Sequence, residues 1–278
     1  MIWIFAATGT AGLTTIALVQ VAICKAASMI LFRSDEMRKA FWEEFQRSTI
    51  DGLTGGQLAR RAELAVSWQN WVFISAFTFV TAGLVEESLK YLPIIYARRR
   101  GTAKQRGQRS RAYIDYGLAG ALSFSVVESM GFLYVACEQG QETWPKLLLT
   151  LFERMVLGQT GHLLFACLTA LRAIRRDYYG DELSWWGVVG PSVALHGAYD
   201  FVALAASALG GNVGWIHPTG VGATVVMLGL IICLVATAAW KVRQEWKALD
   251  SPSRTITSSS SDDNDDDDDD DEDDSATM

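Results

Sequence analysis

Apolar residues in this chain gather into six long runs separated by short polar stretches, the pattern of membrane-spanning helices. The runs cover residues 2–32, 71–96, about 113–137, about 147–171, about 185–209 and about 221–240. Each reaches or exceeds the ~20 residues that cross a bilayer. The first carries one charge, Lys25, has no basic segment ahead of it and outruns a signal peptide, so it reads as a retained first membrane helix, with a cleaved signal as the alternative. The expected fold is all-α, a polytopic transmembrane bundle of about six helices.

The segment 33–69 breaks this pattern. It is charged, with Phe41, Trp42 and Phe45 spaced for one helical face, and reads as an amphipathic extramembrane piece. The other break is the C-terminus, Ser/Thr-rich from Ser251 and then nearly pure Asp. Like charges at that density cannot pack, so a disordered tail is expected. This gives three stretches: 1–70, a membrane helix plus the amphipathic segment; 71–245, the main bundle; and 246–278, the acidic tail.

Charge changes the picture once the tail is set aside. Twelve of the 31 acidic residues lie between Asp262 and Asp274, so the formal −7 belongs to the tail and the body is net basic. The loops after the second, fourth and sixth runs are basic: Arg98 to Arg111, then Arg172, Arg175 and Arg176, then Lys241, Arg243 and Lys247. The loops after the third and fifth are not. The positive-inside rule then puts both termini in the cytosol and 33–69 outside. Nothing suggests a basic, aromatic nucleic-acid surface. The four cysteines, Cys24, Cys137, Cys167 and Cys233, form no close pair and are expected to be small buried hydrophobes.

Ionisable residues inside the apolar runs are expensive and mark candidate sites. The second run ends in Glu86-Glu87-Ser88-Leu89-Lys90, where helical spacing lets Lys90 reach either carboxylate. The third holds Phe124-Ser125-Val126-Val127-Glu128, and the fourth Gly161-His162. The fifth holds His196 and Asp200, four apart, so that the carboxylate can orient the imidazole. Glu153 and Arg154, adjacent near one end of the fourth run, are expected to form an interfacial ion pair, and His217 to be a surface or interfacial residue. A bundle burying Glu86, Glu87, Lys90, Glu128, His162, His196 and Asp200 must bring them together, and such a cluster can hold and activate a water, with or without zinc.

The chain lacks HExxH and a Ser in a GxSxG setting, which disfavours site-2-type and rhomboid chemistry. No GxGD accompanies Tyr199-Asp200. The ordered set EExxK (Glu86 to Lys90), FxxxE (Phe124 to Glu128), Gly161-His162 and HxxxD (His196 to Asp200) resembles the PrsW family of intramembrane proteases. That family lies within the superfamily of CAAX prenyl endopeptidases and bacteriocin-processing proteins. The motifs cover about residues 71–201, with the first 70 residues and the tail outside them.

The resemblance implies a peptidase acting on membrane-embedded protein or peptide substrates within a lipid bilayer. It implies Glu86 or Glu87 as general base, and Glu128 and His162 as positioners of water or metal. His196 with Asp200 would support the oxyanion or share a metal, and Lys90 would hold the glutamate pair. The implied metal set is Glu128, His162 and His196 around a divalent ion such as zinc; a metal-independent glutamate peptidase is the other form. Glu128 stands where CAAX endopeptidases carry His, which argues against prenyl-peptide specificity. The competing readings are a proton- or cation-coupled transporter and a non-catalytic membrane scaffold.

Overall fold

The computed structural model describes residues 2–47, 49–99, 106–138, 144–218 and 220–250. Among these there are eight helices and no strand. They are α1 (Ile2–Leu31), α2 (Asp35–Phe45), α3 (Gly55–Val66), α4 (Trp68–Arg99), α5 (Arg106–Glu138), α6 (144–179), α7 (Trp185–Leu209) and α8 (Val221–Leu249). The acidic tail, most of the basic loop (100–105) and the acidic loop (139–143) on which expectations were placed lie outside the described residues.

Side chains written into the sequence start several of these helices. Ser34, Ser67 and Ser184 each accept a hydrogen bond from the backbone N–H three residues on, and Thr54 with Gln57 forms a reciprocal capping box. Each cap satisfies a donor that would otherwise be orphaned and contributes about 1 kcal/mol.

Among the described residues, five helices are long and apolar enough to cross a membrane: α1, α4, α5 (over Arg111–Cys137), α7 and α8. The chain is an integral membrane protein. The sixth expected span, α6, forms but is not among the five. It runs through the middle of the bundle against α4, α5, α7 and α8. Gly161, His162, Phe165, Ala166 and Leu168 to Leu171 are all buried on it. From Gly161 on, where α6 is sheathed by protein, it need not be apolar on every face and can carry His162; Glu153 and Arg154, in the less buried stretch before it, are partly exposed. The peripheral α1 and α8 instead turn Leu18, Val21, Ile30, Val225, Val226 and Leu230 outward, as lipid contact requires. Of the cysteines only Cys24 is buried; Cys137 and Cys233 are exposed on the apolar outer surface, where a thiol is tolerated as a small hydrophobe, and Cys167 is intermediate.

The amphipathic segment folds as α2 and α3 and closes one end of the bundle. Phe41 is fully buried, stacked on Phe32 (centroids 4.3 Å) and edge-on to Phe73 (4.9 Å). The pin is Arg61 of α3, 1% exposed. Its guanidinium donates to the Glu44 carboxylate, to Glu44 O (2.9 Å), to Asn212 Oδ1 (3.2 Å) and to Val213 O (2.5 Å). One side chain thus joins α2, α3 and the loop after α7. The opposite end is tied by Arg172 and Arg175 of α6, both on Glu245 of α8.

Burial alone would raise the pKa of Glu44, but hydrogen bonds and charge from Arg47 and Arg61 outweigh it and hold it below the usual carboxylate value. A depressed folded-state pKa gives stability that is present above the unfolded value near 4.3 and lost as pH falls through the folded value. The cap should therefore resist proteolysis equally from pH 7 to about 5 and loosen only below about 4. Arg61→Ala should cost about 3 kcal/mol or more by leaving Asn212 Oδ1 and the carbonyls of Glu44 and Val213 without their donor, while the Glu44 carboxylate keeps only Arg47. Limited proteolysis across residues 46–54 reads both effects; an unchanged cleavage rate in Arg61→Ala would show that the pin is dispensable.

Candidate active site

The site forms because two helices approach closely. A Cβ on Gly83 of α4 would lie 2.8 Å from Val193 O of α7, and one on Gly197 of α7 would lie 2.4 Å from the Phe79 ring of α4. Only glycine lets the α4 backbone come this near Val193 O and leaves room on α7 for the Phe79 ring, and each lies within four residues of the motif it serves. From Phe77 to Glu86 the α4 backbone is π-helical, a winding often found at functional sites. It ends as the two glutamates begin, and both are turned into the bundle.

Lys90 stands at the centre of the resulting cluster, 2% exposed. Its ammonium donates to Glu87 Oε1 (2.9 Å), Glu86 Oε2 (3.4 Å) and His162 Nδ1 (2.7 Å), and lies 4.4 Å from the centre of the Phe124 ring. An ammonium can only donate, so Nδ1 of His162 accepts and its proton sits on Nε2, which donates to Glu128 Oε2 (2.9 Å). Nδ1–H of His196 donates to Glu87 Oε1 (2.8 Å). That leaves Nε2 of His196 open, with Glu86 Oε2 at 3.7 Å and Asp200 Oδ2 at 3.6 Å. The two imidazoles meet edge to face, with ring centres 4.9 Å apart, and His196 stacks on Phe165.

All seven residues singled out from the sequence meet here, brought together from α4, α5, α6 and α7. Six are buried; Glu128 is partly exposed. Among the described residues, Glu86, His162 and His196 are the three whose donor atoms all lie within 4.8 Å of one another, a different triple from the expected Glu128, His162 and His196. The second oxygen of Glu87 is buried without a hydrogen-bond partner.

One residue of the cluster was not foreseen. Gln20 of α1 donates to Glu86 Oε1 (2.9 Å) and to Thr81 O (3.4 Å), so the first helix reaches into the site. A polar amide in the middle of an otherwise apolar run was the available signal. The expected ion pair is absent among the described residues. Glu153 Oε2 instead meets His217 Nε2 (2.7 Å), and the Arg154 guanidinium lies 3.5 Å from the centre of the Phe132 ring and 5.0 Å from that of Trp215. His217, expected as a surface or interfacial residue, is partly buried by this contact.

Two cavities adjoin the cluster. A small one of about 10 Å³, bordered by Glu128, His162, His196 and Asp200, has about the room of one water. Glu128 and Arg154 also border the second, a chamber of about 610 Å³ under α2 and the loop after α7, with Trp42, Phe45 and Trp215 in its wall.

Lys90 is the cation that allows two carboxylates to be buried. Lys90→Met should lower stability by about 3–5 kcal/mol, because it leaves Glu86 and Glu87 uncompensated. Adding Glu87→Gln to that chain should recover part of the loss, since one orphaned charge is then removed. Thermal unfolding in detergent reads both; equal midpoints for wild type and Lys90→Met would show that the carboxylates do not depend on this ammonium.

Comparison with known families supplies independent information. Residues 2–238 match the model of the PrsW family intramembrane metalloproteases. The match is wider than the motifs indicated: it takes in the first 70 residues, in keeping with the contact of Gln20 on Glu86. No curated protein and no solved structure matches the chain. With nearly its whole length matched, a bundle of apolar helices and the four motifs on one cluster, the chain belongs to the PrsW family of intramembrane metalloproteases.

Proposed function

We propose that the chain is an endopeptidase that hydrolyses membrane-embedded polypeptides with a water activated at the Glu86–His162–His196 cluster. The observation that carries this is convergence: four helices bring carboxylates and imidazoles into one cluster, and three of them, α5, α6 and α7, border a water-sized cavity beside a chamber large enough for side chains. An amide bond entering from the chamber would meet that water in a space shielded from bulk solvent, where electrostatic effects are strong.

The donor set fits the divalent ion that the family description implies. Two imidazoles and a carboxylate are the ligand types of hydrolytic zinc sites, and the unpartnered Glu87 oxygen keeps a spare anionic acceptor nearby. Glu86, His162 and His196 would hold the ion, His162 by exchanging its Nδ1 contact with the Lys90 ammonium for the metal, and the ion would supply Lewis-acid activation of the water. Glu87 then acts as a positioning residue: its bond to Nδ1–H of His196 keeps Nε2 facing the cavity. Asp200, bordering the same cavity, is the carboxylate placed to take the water's proton and to return it to the leaving nitrogen. Lys90 holds Glu86 and Glu87 in place, and Gln20 fixes the second oxygen of Glu86.

In this reading both termini are cytosolic and the α2–α3 cap with its chamber is outside. The basic ends of α4, α6 and α8 support that orientation. The substrate would approach the chamber from the cap side of the bilayer.

The test compares purified wild type with Glu86→Gln, His196→Ala and Asp200→Asn. Bound metal is counted by elemental mass spectrometry, and cleavage is followed on a panel of single-span membrane peptides. Wild type should hold one ion per chain and cleave, and His196→Ala should lose both. Asp200→Asn should keep the ion while its turnover falls by about 10²–10⁴. Cleavage by a metal-free wild type, abolished in Glu86→Gln, would contradict the metal-held arrangement and make Glu86 the proton acceptor.

A further inference from the structure

The hydrolysis proposed above leaves one requirement unmet. As water adds to the carbonyl carbon, the π electron pair moves onto the carbonyl oxygen, and that oxyanion needs a donor aimed at it. The donors bordering the small cavity are nearly all engaged. Ser129 Oγ donates to Arg154 O (3.3 Å), and the Tyr199 hydroxyl donates to Glu153 O (3.3 Å). His162 has both ring nitrogens occupied, and His196 gives its Nδ1–H to Glu87. Asp200 and Glu128 are carboxylates, which repel an oxyanion.

Arg154 is the exception. The central carbon of its guanidinium lies 3.5 Å from the centre of the Phe132 ring and 5.0 Å from that of Trp215, π contacts that take no N–H away from an oxygen acceptor. Among the described residues no carboxylate or other acceptor takes them, because the neighbouring Glu153 is turned to His217. The residue sits in the π-helical stretch Phe152–Gly158 of α6, with its backbone carbonyl fixed by Ser129. It also borders both cavities, so a peptide bond passing from the chamber toward the water must go by it.

We propose that Arg154 is a catalytic residue that binds the carbonyl oxygen of the scissile bond and holds the oxyanion, while the Phe132 and Trp215 rings hold it beside the passage. The water oxygen bonds to the carbonyl carbon and its proton passes to a carboxylate of the cluster. The electron pair rests on the oxygen held by Arg154. Collapse restores the C=O bond and breaks C–N, and the proton is delivered to the departing nitrogen. The inference rests on the peptidase reading and adds the group that reading lacks.

The test uses two uncleavable versions of the single-span peptide that wild type cleaves fastest. In one a phosphinate replaces the scissile bond and supplies the tetrahedral anionic oxygens. In the other a reduced amide, –CH2–NH–, has no oxygen there. Arg154→Gln should weaken phosphinate binding by about 100-fold and lower kcat by about 10²–10³. Binding of the reduced amide should stay within about threefold, since only contacts outside the missing oxygen remain. Arg154→Lys, which keeps the charge and loses the planar fork, should fall between, and it carries the test if Arg154→Gln does not elute as a folded monomer. Equal weakening of both analogues, or of neither, overturns the role of Arg154. If wild type cleaves and Arg154→Gln cleaves as fast, this inference alone fails; if wild type cleaves no peptide and binds neither analogue, the peptidase reading fails with it.

Discussion

The structure depends on the burial of Lys90. An ammonium among two carboxylates and an imidazole, 2% exposed inside a membrane bundle, is tolerable only if every partner is in place at once. Glu86 and Glu87 come from its own helix, so α4 alone can form the first part of the network. His162 belongs to α6, Glu128 behind it to α5, and His196 on Glu87 to α7. An α4 placed elsewhere would set charges in hydrocarbon, and the cost of that fixes which four helices pack together. The cluster therefore specifies the arrangement of the bundle as much as the bundle positions the cluster.

The close approach of α4 and α7 works in the same direction. Between helices in lipid there is little hydrophobic drive, so small residues and interior hydrogen bonds supply the association. Gly83 lets the α4 backbone come near Val193 O and Gly197 leaves room for the Phe79 ring, and the same short distance lets Glu87 touch His196. The cap adds a separate clamp. Through Arg61 it fixes the loop after α7, which carries Trp215 and His217 in the chamber wall. Chamber and cluster are thus held by two different networks, one in the α2–α3 cap and one inside the bundle, that meet at Glu128 and Arg154.

Much of the cluster was legible because a charge in an apolar run is costly and so stands out. Glu86, Glu87, Lys90, Glu128 and the His196–Asp200 pair all announce themselves in this way. What was missed has identifiable causes. Gln20 carries no charge, and a single amide in an apolar helix has many local solutions, so its partner could not be read. Glu153 and Arg154 invite pairing by adjacency, yet neighbours along a helix do not face each other, and each turned to a different partner. α6 was expected as a membrane span and does run through the bundle, but that its stretch Gln159–Tyr179 is packed among four other helices could not be read from its own pattern. The pin at Arg61 depends on Asn212 and Val213, 151 and 152 residues further along, a distance at which composition gives no pairing signal.

The central claim is that this cluster directs water onto a peptide bond. The most direct measurement incubates the purified protein with single-span membrane peptides in water enriched in oxygen-18 and weighs the products by mass spectrometry. The account predicts internal cleavage, with one labelled oxygen in each new carboxylate. Peptides that stay intact beside folded wild-type protein, or cleavage products that carry no label, would contradict it.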